Sequence, residues 1–88
     1  MNINIDELKK KIIYRSTYRG TKEMDSLLGS FVKKYIDSFN LSDLNNLSDM
    51  LDIDDVTLYN YNNNKIQTDE ININRVILLF RDYVYEKK

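Results

Sequence analysis

The sequence has no cysteine, no histidine, no proline and no tryptophan, and only two glycines in 88 residues. Without cysteine there is no disulfide, no thiolate metal site and no cysteine nucleophile. Without histidine the commonest general base and the commonest transition-metal ligand are also missing. Catalysis by this chain would have to rest on carboxylates, lysines, tyrosines or hydroxyls. With Gly20 and Gly29 alone there is no glycine-rich loop to cradle a phosphate. No apolar run approaches the ~18 residues of a membrane span. The first residues, Met1-Asn2-Ile3-Asn4-Ile5-Asp6-Glu7, carry no basic region and no apolar core, so a secretory signal is not expected. They are acidic rather than arginine-rich, which argues against a transit peptide. The expectation from these absences is a soluble, cytoplasmic protein.

What is present fits a single domain over 1–88. A domain of this size buries roughly 60–65% of the surface that its unfolded chain exposes, so its core is modest. The formal net charge is −1, but the charge is unevenly distributed. Residues 1–36 sum to +4, residues 37–70 to −7 and residues 71–88 to +2. Such asymmetry suits a polarised surface that orients one partner, although a charged face is more commonly a solvated one. Asparagine, isoleucine, lysine and tyrosine are abundant, as AT-rich codons would make them, so the many asparagines carry little functional weight.

The hydrophobic spacing predicts helices throughout. Residues 6–19 form the first, with Asp6 and Glu7 at its positive end and Gly20 stopping it as a left-handed C-terminal residue. The second, 22–38, has the strongest apolar face: Met24, Leu27, Leu28, Phe31, Val32, Tyr35, Ile36 and Phe39 recur at helical spacing. Thr21 is its expected N-cap. Gly29, inside it, is expected to permit close approach by another helix. Ser42 caps a third helix over 43–52, and Asp54 or Asp55 caps a fourth over 55–62, with Asn62-Asn63-Asn64 as a loop. Thr68 caps a fifth over 69–86. The alternation in Ile71-Asn72-Ile73-Asn74, and in Ile3-Asn4-Ile5, is strand-like, but the later residues of the fifth segment keep the helical period. The expected fold is all-α, a compact bundle of five short helices.

One stretch concentrates chemistry. Tyr18-Arg19-Gly20-Thr21-Lys22-Glu23-Met24-Asp25 crowds a glycine, basic side chains and carboxylates onto the end of the most apolar helix. Read from the residues alone it is a helix stop followed by a helix start, with Glu23 and Asp25 serving the helix dipole. Asp49, Asp52, Asp54 and Asp55 lack the glycine turn and terminal glutamate of a calcium loop, so they read as capping and solvated groups. The tyrosines fall mostly at core spacing, so packing is favoured over base stacking. The basic first third is interrupted by Glu23 and Asp25, which argues against nucleic-acid binding.

Tyr14-Arg15-Ser16, then Tyr18-Arg19-Gly20-Thr21-Lys22-Glu23-Met24-Asp25, then Leu27-Leu28-Gly29 and Phe31, resemble the signature of the SdhE-type FAD assembly factors, whose core motif is Arg-Gly-x-x-Glu. Leu51-Asp52-Ile53-Asp54-Asp55-Val56-Thr57-Leu58-Tyr59-Asn60-Tyr61 resembles the second segment of that family, an acidic pair before a helix of leucine and aromatics. Lys65 and the last helix also fit, so the resemblance covers about residues 8–85. The chain departs from the family pattern at Val56, commonly proline, at Tyr61, commonly tryptophan, at Tyr18, commonly basic, and at Ser26, commonly apolar. Arg19, Gly20 and Glu23 match.

The resemblance implies an assembly factor that binds the flavoprotein subunit of succinate dehydrogenase and promotes covalent attachment of FAD, with fumarate reductase as a second candidate partner. It implies a partner-facing surface of Arg15, Tyr18, Arg19, Gly20, Glu23 and Asp25. Arg19 would offer a forked guanidinium to the partner, Gly20 would let two backbones approach, and Glu23 would accept hydrogen bonds from the partner or hold Arg19. Asp25 would act locally at the helix start. FAD would be handled in the partner, with none bound stably here, no metal, no catalysis by this chain, no nucleic acid, no membrane insertion and a monomer when free. The competing expectation is a helical adaptor or antitoxin-like regulator that binds through the acidic middle segment.

Overall fold

The element that organises the packing is the helix over Lys22–Tyr35, because six of its residues from Met24 to Val32 are buried on one side. The computed structural model describes residues 4–85. Five α-helices follow in order: α1 Ile5–Thr17, α2 Lys22–Tyr35, α3 Leu41–Met50, α4 Asp55–Asn64 and α5 Arg75–Asp82. A 3-10 turn over Ile36–Ser38 closes α2, and no strand occurs among the described residues. Helix α1 packs on α2 and α3, and α5 packs on α3 and α4. The Cα radius of gyration is 12.4 Å, against about 12 Å for a compact domain of this length. The all-α bundle of five short helices is therefore what the chain forms.

Side chains begin most helices. Thr21 accepts from the Met24 N–H, as expected. Asn4 accepts from the Glu7 N–H at the start of α1. Asn40, not Ser42, caps α3: Asn40 and Asp43 exchange reciprocal hydrogen bonds in a capping box. Asp54 caps α4 by accepting from the Thr57 N–H at 2.7 Å. Hydrogen bonds from Thr57 hold the Asp54 carboxyl below the usual carboxylate range.

The largest departure from expectation lies before α5. The helix starts at Arg75, capped by Asn74, rather than at 69 after Thr68. Ile71 is 4% exposed and Ile73 61% exposed, so the two isoleucines do not share a face as a strand would require, and the stretch is an irregular segment that buries Ile71 alone. The Gln67 amide donates to the Thr68 and Ile71 carbonyls, giving those groups a partner without a helix. Helix α5 ends at Asp82, and Tyr83 is already extended; the expected end at 86 lies outside the described residues, as does Ile3. Helix α4 runs to Asn64, through the asparagines expected as a loop, and Lys65 ends it in the left-handed conformation at φ 59°. Asn62 is buried and donates to the Phe80 and Tyr83 carbonyls at 2.7 and 2.8 Å. The Lys65 ammonium donates to the carbonyls of Asn62 and Arg81, so one cation serves the ends of α4 and α5.

Gly29 does not mark a tight helix crossing. A Cβ built there meets only the Thr17 Oγ1, at 3.8 Å, which is ordinary contact. Gly29→Ala is expected to stabilise the protein by about 0.5–1 kcal/mol, because a helical glycine costs that much and nothing obstructs the methyl. Thermal denaturation checks this, and a lower midpoint would show that the space is needed.

Tyr61 is 1% exposed, and its hydroxyl is buried without a hydrogen-bond partner among the described residues. Burial raises its pKa above the usual tyrosine value. The neutral phenol is favoured in the folded state, so this contribution is full below about pH 10 and is lost as the pH rises through the higher folded value. Tyr61→Phe removes an orphaned hydroxyl and keeps the ring. It is expected to raise stability by about 1 kcal/mol and to flatten the alkaline limb of stability against pH. A denaturant titration at pH 7 and pH 10.5 measures both, the second pH being chosen at about the value where an ordinary tyrosine ionises.

Candidate functional site

The α1–α2 turn is built around Gly20. Helix α1 ends at Thr17, with Tyr18 as its C-cap, and Gly20 lies beyond it at φ +117°. The expected left-handed helix stop at Gly20 is therefore a turn residue instead. Its positive φ suits glycine and few other residues. The Arg19 N–H donates to the Asp25 carboxylate, which fixes the turn against the first turn of α2. Asp25 thus acts locally, as expected.

Arg19 is turned inwards. Its Nε donates to Asp55 Oδ1 at 2.8 Å, its Nη2 donates to the Ile53 carbonyl at 2.6 Å, and its Nη1 donates to the Leu51 carbonyl. Its side chain is 12% exposed and that of Asp55 29% exposed. Arg15, one helical turn earlier, donates to Ser48 and pairs with Asp52. The guanidinium nitrogens expected to meet the partner are used within the chain here, at the α3–α4 junction. Glu23 does not hold Arg19; Asp55 does.

The outward face belongs to other residues. Tyr14 and Tyr18 are 65% and 68% exposed, with ring centroids 4.6 Å apart. They line an open depression of about 440 Å³ with Arg15, Arg19, Asp54 and Asp55. Glu23 is exposed, and its side chain makes no hydrogen bond or ion pair among the described residues. It borders two further depressions, one of about 300 Å³ shared with Leu27, Tyr59 and Tyr83, the other of about 450 Å³ shared with Lys22, Ser26 and Tyr85. The turn therefore separates an aromatic pair on one side from the exposed Glu23 carboxylate on the other.

Core spacing misplaced the tyrosines. Only Tyr61 is buried among the seven; Tyr14, Tyr18, Tyr59 and Tyr85 are exposed, and Tyr35 and Tyr83 are half-buried. Tyr14 and Tyr59 are surface residues of this face that the residue pattern did not single out. The spacing Tyr14–Tyr18, one helical turn on the polar side of α1, is the signal that finds the first of them. In the depression under Tyr14 and Tyr18, the guanidinium groups of Arg15 and Arg19 pair with Asp52 and Asp55.

Residues 10–84 match the sequence profile of a family described as the flavinator of succinate dehydrogenase. The chain belongs to this flavinator family. Two curated relatives carry the name succinate dehydrogenase assembly factor 2, mitochondrial. The one from Debaryomyces hansenii is 34% identical over 56 residues, covering 64% of this chain and 39% of the relative. The one from Meyerozyma guilliermondii is 39% identical over 51 residues, covering 58% of this chain and 38% of the relative. The chain thus spans about two fifths of the length of the curated relatives it matches. No solved structure matches it.

These names overturn the cytoplasmic location expected from the sequence, because both relatives are named as mitochondrial. The composition of the first seven residues bears on targeting only where a leader would begin, and a match over part of a longer relative does not locate that point. Among the described residues no helix of this flavinator-family chain is long and apolar enough to cross a membrane.

Proposed function

We propose that this chain binds the flavoprotein subunit of succinate dehydrogenase and promotes covalent attachment of FAD to it. The match of residues 10–84 to the flavinator family carries the reading. The exposed Tyr18, Gly20 and Glu23 support it, since a hydrogen-bonded turn offering an exposed carboxylate near aromatic rings suits recognition of a protein surface. The fumarate reductase flavoprotein is a second candidate partner. The mitochondrial compartment named for the relatives is proposed for this chain, and the free protein is proposed to be a monomer.

The role is assistance rather than catalysis. A sequence without histidine or cysteine leaves the bond-forming groups to the partner. A bound helper favours the partner conformation in which flavin and acceptor are aligned, and it contributes through its differential affinity for that conformation. FAD stays with the partner throughout. The adaptor reading loses ground because Asp52 and Asp55, central to the acidic segment it relies on, are engaged by Arg15 and Arg19.

The test is covalent flavin on the purified flavoprotein subunit, read as in-gel fluorescence after denaturation, with and without this protein. Wild type is expected to raise the rate. Glu23→Ala is expected to lower that gain about tenfold, the loss of a charged interface group worth about 1.4 kcal/mol or more, with unchanged helical circular dichroism. A wild-type protein that neither binds the subunit nor changes the fluorescence overturns the reading.

A further inference from the structure

Arg19 bridges two helix ends that are distant in sequence. The carbonyls of Leu51 and Ile53, at and just beyond the C-terminus of α3, both accept from its guanidinium. Asp55, which also accepts from it, is the first residue of α4. One planar cation therefore caps α3, pairs with the start of α4 and, through its own backbone N–H on Asp25, fixes the Gly20 turn. These acceptors are met from three separate nitrogens of one planar group, whereas a lysine offers its donors from a single nitrogen. The helices so joined carry the exposed face: α1 supplies Tyr14 and Tyr18, α2 supplies Glu23, and α4 supplies Tyr59, which shares a depression with Glu23. Asp54 and Asp55 of α4 border the depression under the tyrosine pair.

We propose that Arg19 is a positioning residue, which holds α4 beside the Gly20 turn so that the depression of Tyr14 and Tyr18 and that of Glu23 and Tyr59 keep their places on either side of the turn for docking, and which does not itself touch the partner. The inference rests on the flavoprotein reading for its partner, but not for its geometry. An arginine that met the partner directly would act through its charge. An arginine that acts through Asp55 makes the two residues a single unit, so that losing either loses the same thing.

The experiment compares Arg19→Lys, Asp55→Ala, the double variant and Asp55→Asn with wild type, each checked for helical circular dichroism. Affinity for the flavoprotein subunit and amide hydrogen exchange of Leu58 and Tyr59 in the free protein are measured. Arg19→Lys and Asp55→Ala are each expected to weaken binding about tenfold, and the double variant is expected to be no weaker than either by more than about twofold. Asp55→Asn keeps an acceptor oxygen for Nε and is expected to retain binding within about threefold. In the free protein, Arg19→Lys and Asp55→Ala are expected to speed exchange at Leu58 and Tyr59, a change that a partner-contacting arginine would not produce. Wild-type binding by Arg19→Lys overturns the proposal, as does wild-type binding by Asp55→Ala, or losses that multiply in the double variant. If wild type itself fails to bind the subunit, the partner reading falls, and exchange at Leu58 and Tyr59 then decides: unchanged rates overturn the positioning role and faster rates uphold it.

Discussion

Gly20→Arg is expected to abolish the gain in covalent flavin while leaving the five helices in place. Gly20 sits at φ +117°, where any L side chain is strained, yet a Cβ there meets nothing within 4 Å. The two facts separate two costs. Strain costs about 1–3 kcal/mol, which a domain with roughly 5–15 kcal/mol of stability survives. The open space means that the new side chain meets no obstruction at its base, in a turn flanked by exposed Tyr18 and exposed Glu23, where the partner is proposed to dock. A long cation there holds two surfaces apart and pairs with the carboxylate that the partner would otherwise meet. Gly20→Ala supplies the control, with the same backbone strain and almost none of the bulk. Both variants are expected to lower the melting temperature similarly, and only the arginine variant to lose binding and flavin attachment. Equal loss of activity in both, at equal helicity, would assign the defect to turn geometry and sink the docking account. Loss of helical signal in Gly20→Arg would show that the turn is needed for folding.

The parts of this fold that can be read from sequence are those fixed by neighbours a few residues away. The apolar stripe of α2 and its Thr21 cap are of that kind, and both are found where the spacing puts them. The start of α5 is not. Thr68-Asp69-Glu70 has the composition of a helix start, but so does Asn74, and the choice is made by burial of Ile71 and by the Gln67 amide on two carbonyls. Asn62 to Asn64 have poor helix propensity, and α4 continues through them because Asn62 finds two carbonyls at the end of α5. The site divides the same way. Gly20 and Glu23 stand out locally as a turn residue and a solvent-facing carboxylate. The destination of Arg19 does not, because its acceptors lie 32 to 36 residues away. The only trace of that pairing in the sequence is the contrast of a basic first third with an acidic middle, and the ion pairs Lys9–Asp37, Arg15–Asp52 and Arg19–Asp55 show that part of this contrast is consumed inside the fold.

Phe31→Ala is expected to cost more stability than any change at the turn. Phe31 is fully buried, and its ring lies 5.1 to 5.3 Å from those of Tyr35, Phe80 and Tyr83. Truncating a buried phenylalanine costs about 3–5 kcal/mol through lost transfer energy and the cavity left behind. In a domain of this size each kcal/mol lowers the melting temperature by about 4–8 °C, so the variant approaches the limit of folding. The damage is also directed. Tyr83 is held by the Phe31 ring edge, by its hydroxyl on Ser30 at 2.8 Å and by Asn62 on its carbonyl. Removing the ring loosens one of several restraints on the segment that carries Tyr83 and Tyr85 past Glu23. Amide exchange at Tyr83 is therefore expected to rise more than exchange at Leu44 in α3, which is buried but lacks that contact. Phe31→Leu retains most of the volume and is expected to lose less than half as much. A total loss below about 1 kcal/mol for Phe31→Ala would mean that the core collapses into the space and that this aromatic cluster does not anchor the C-terminal segment.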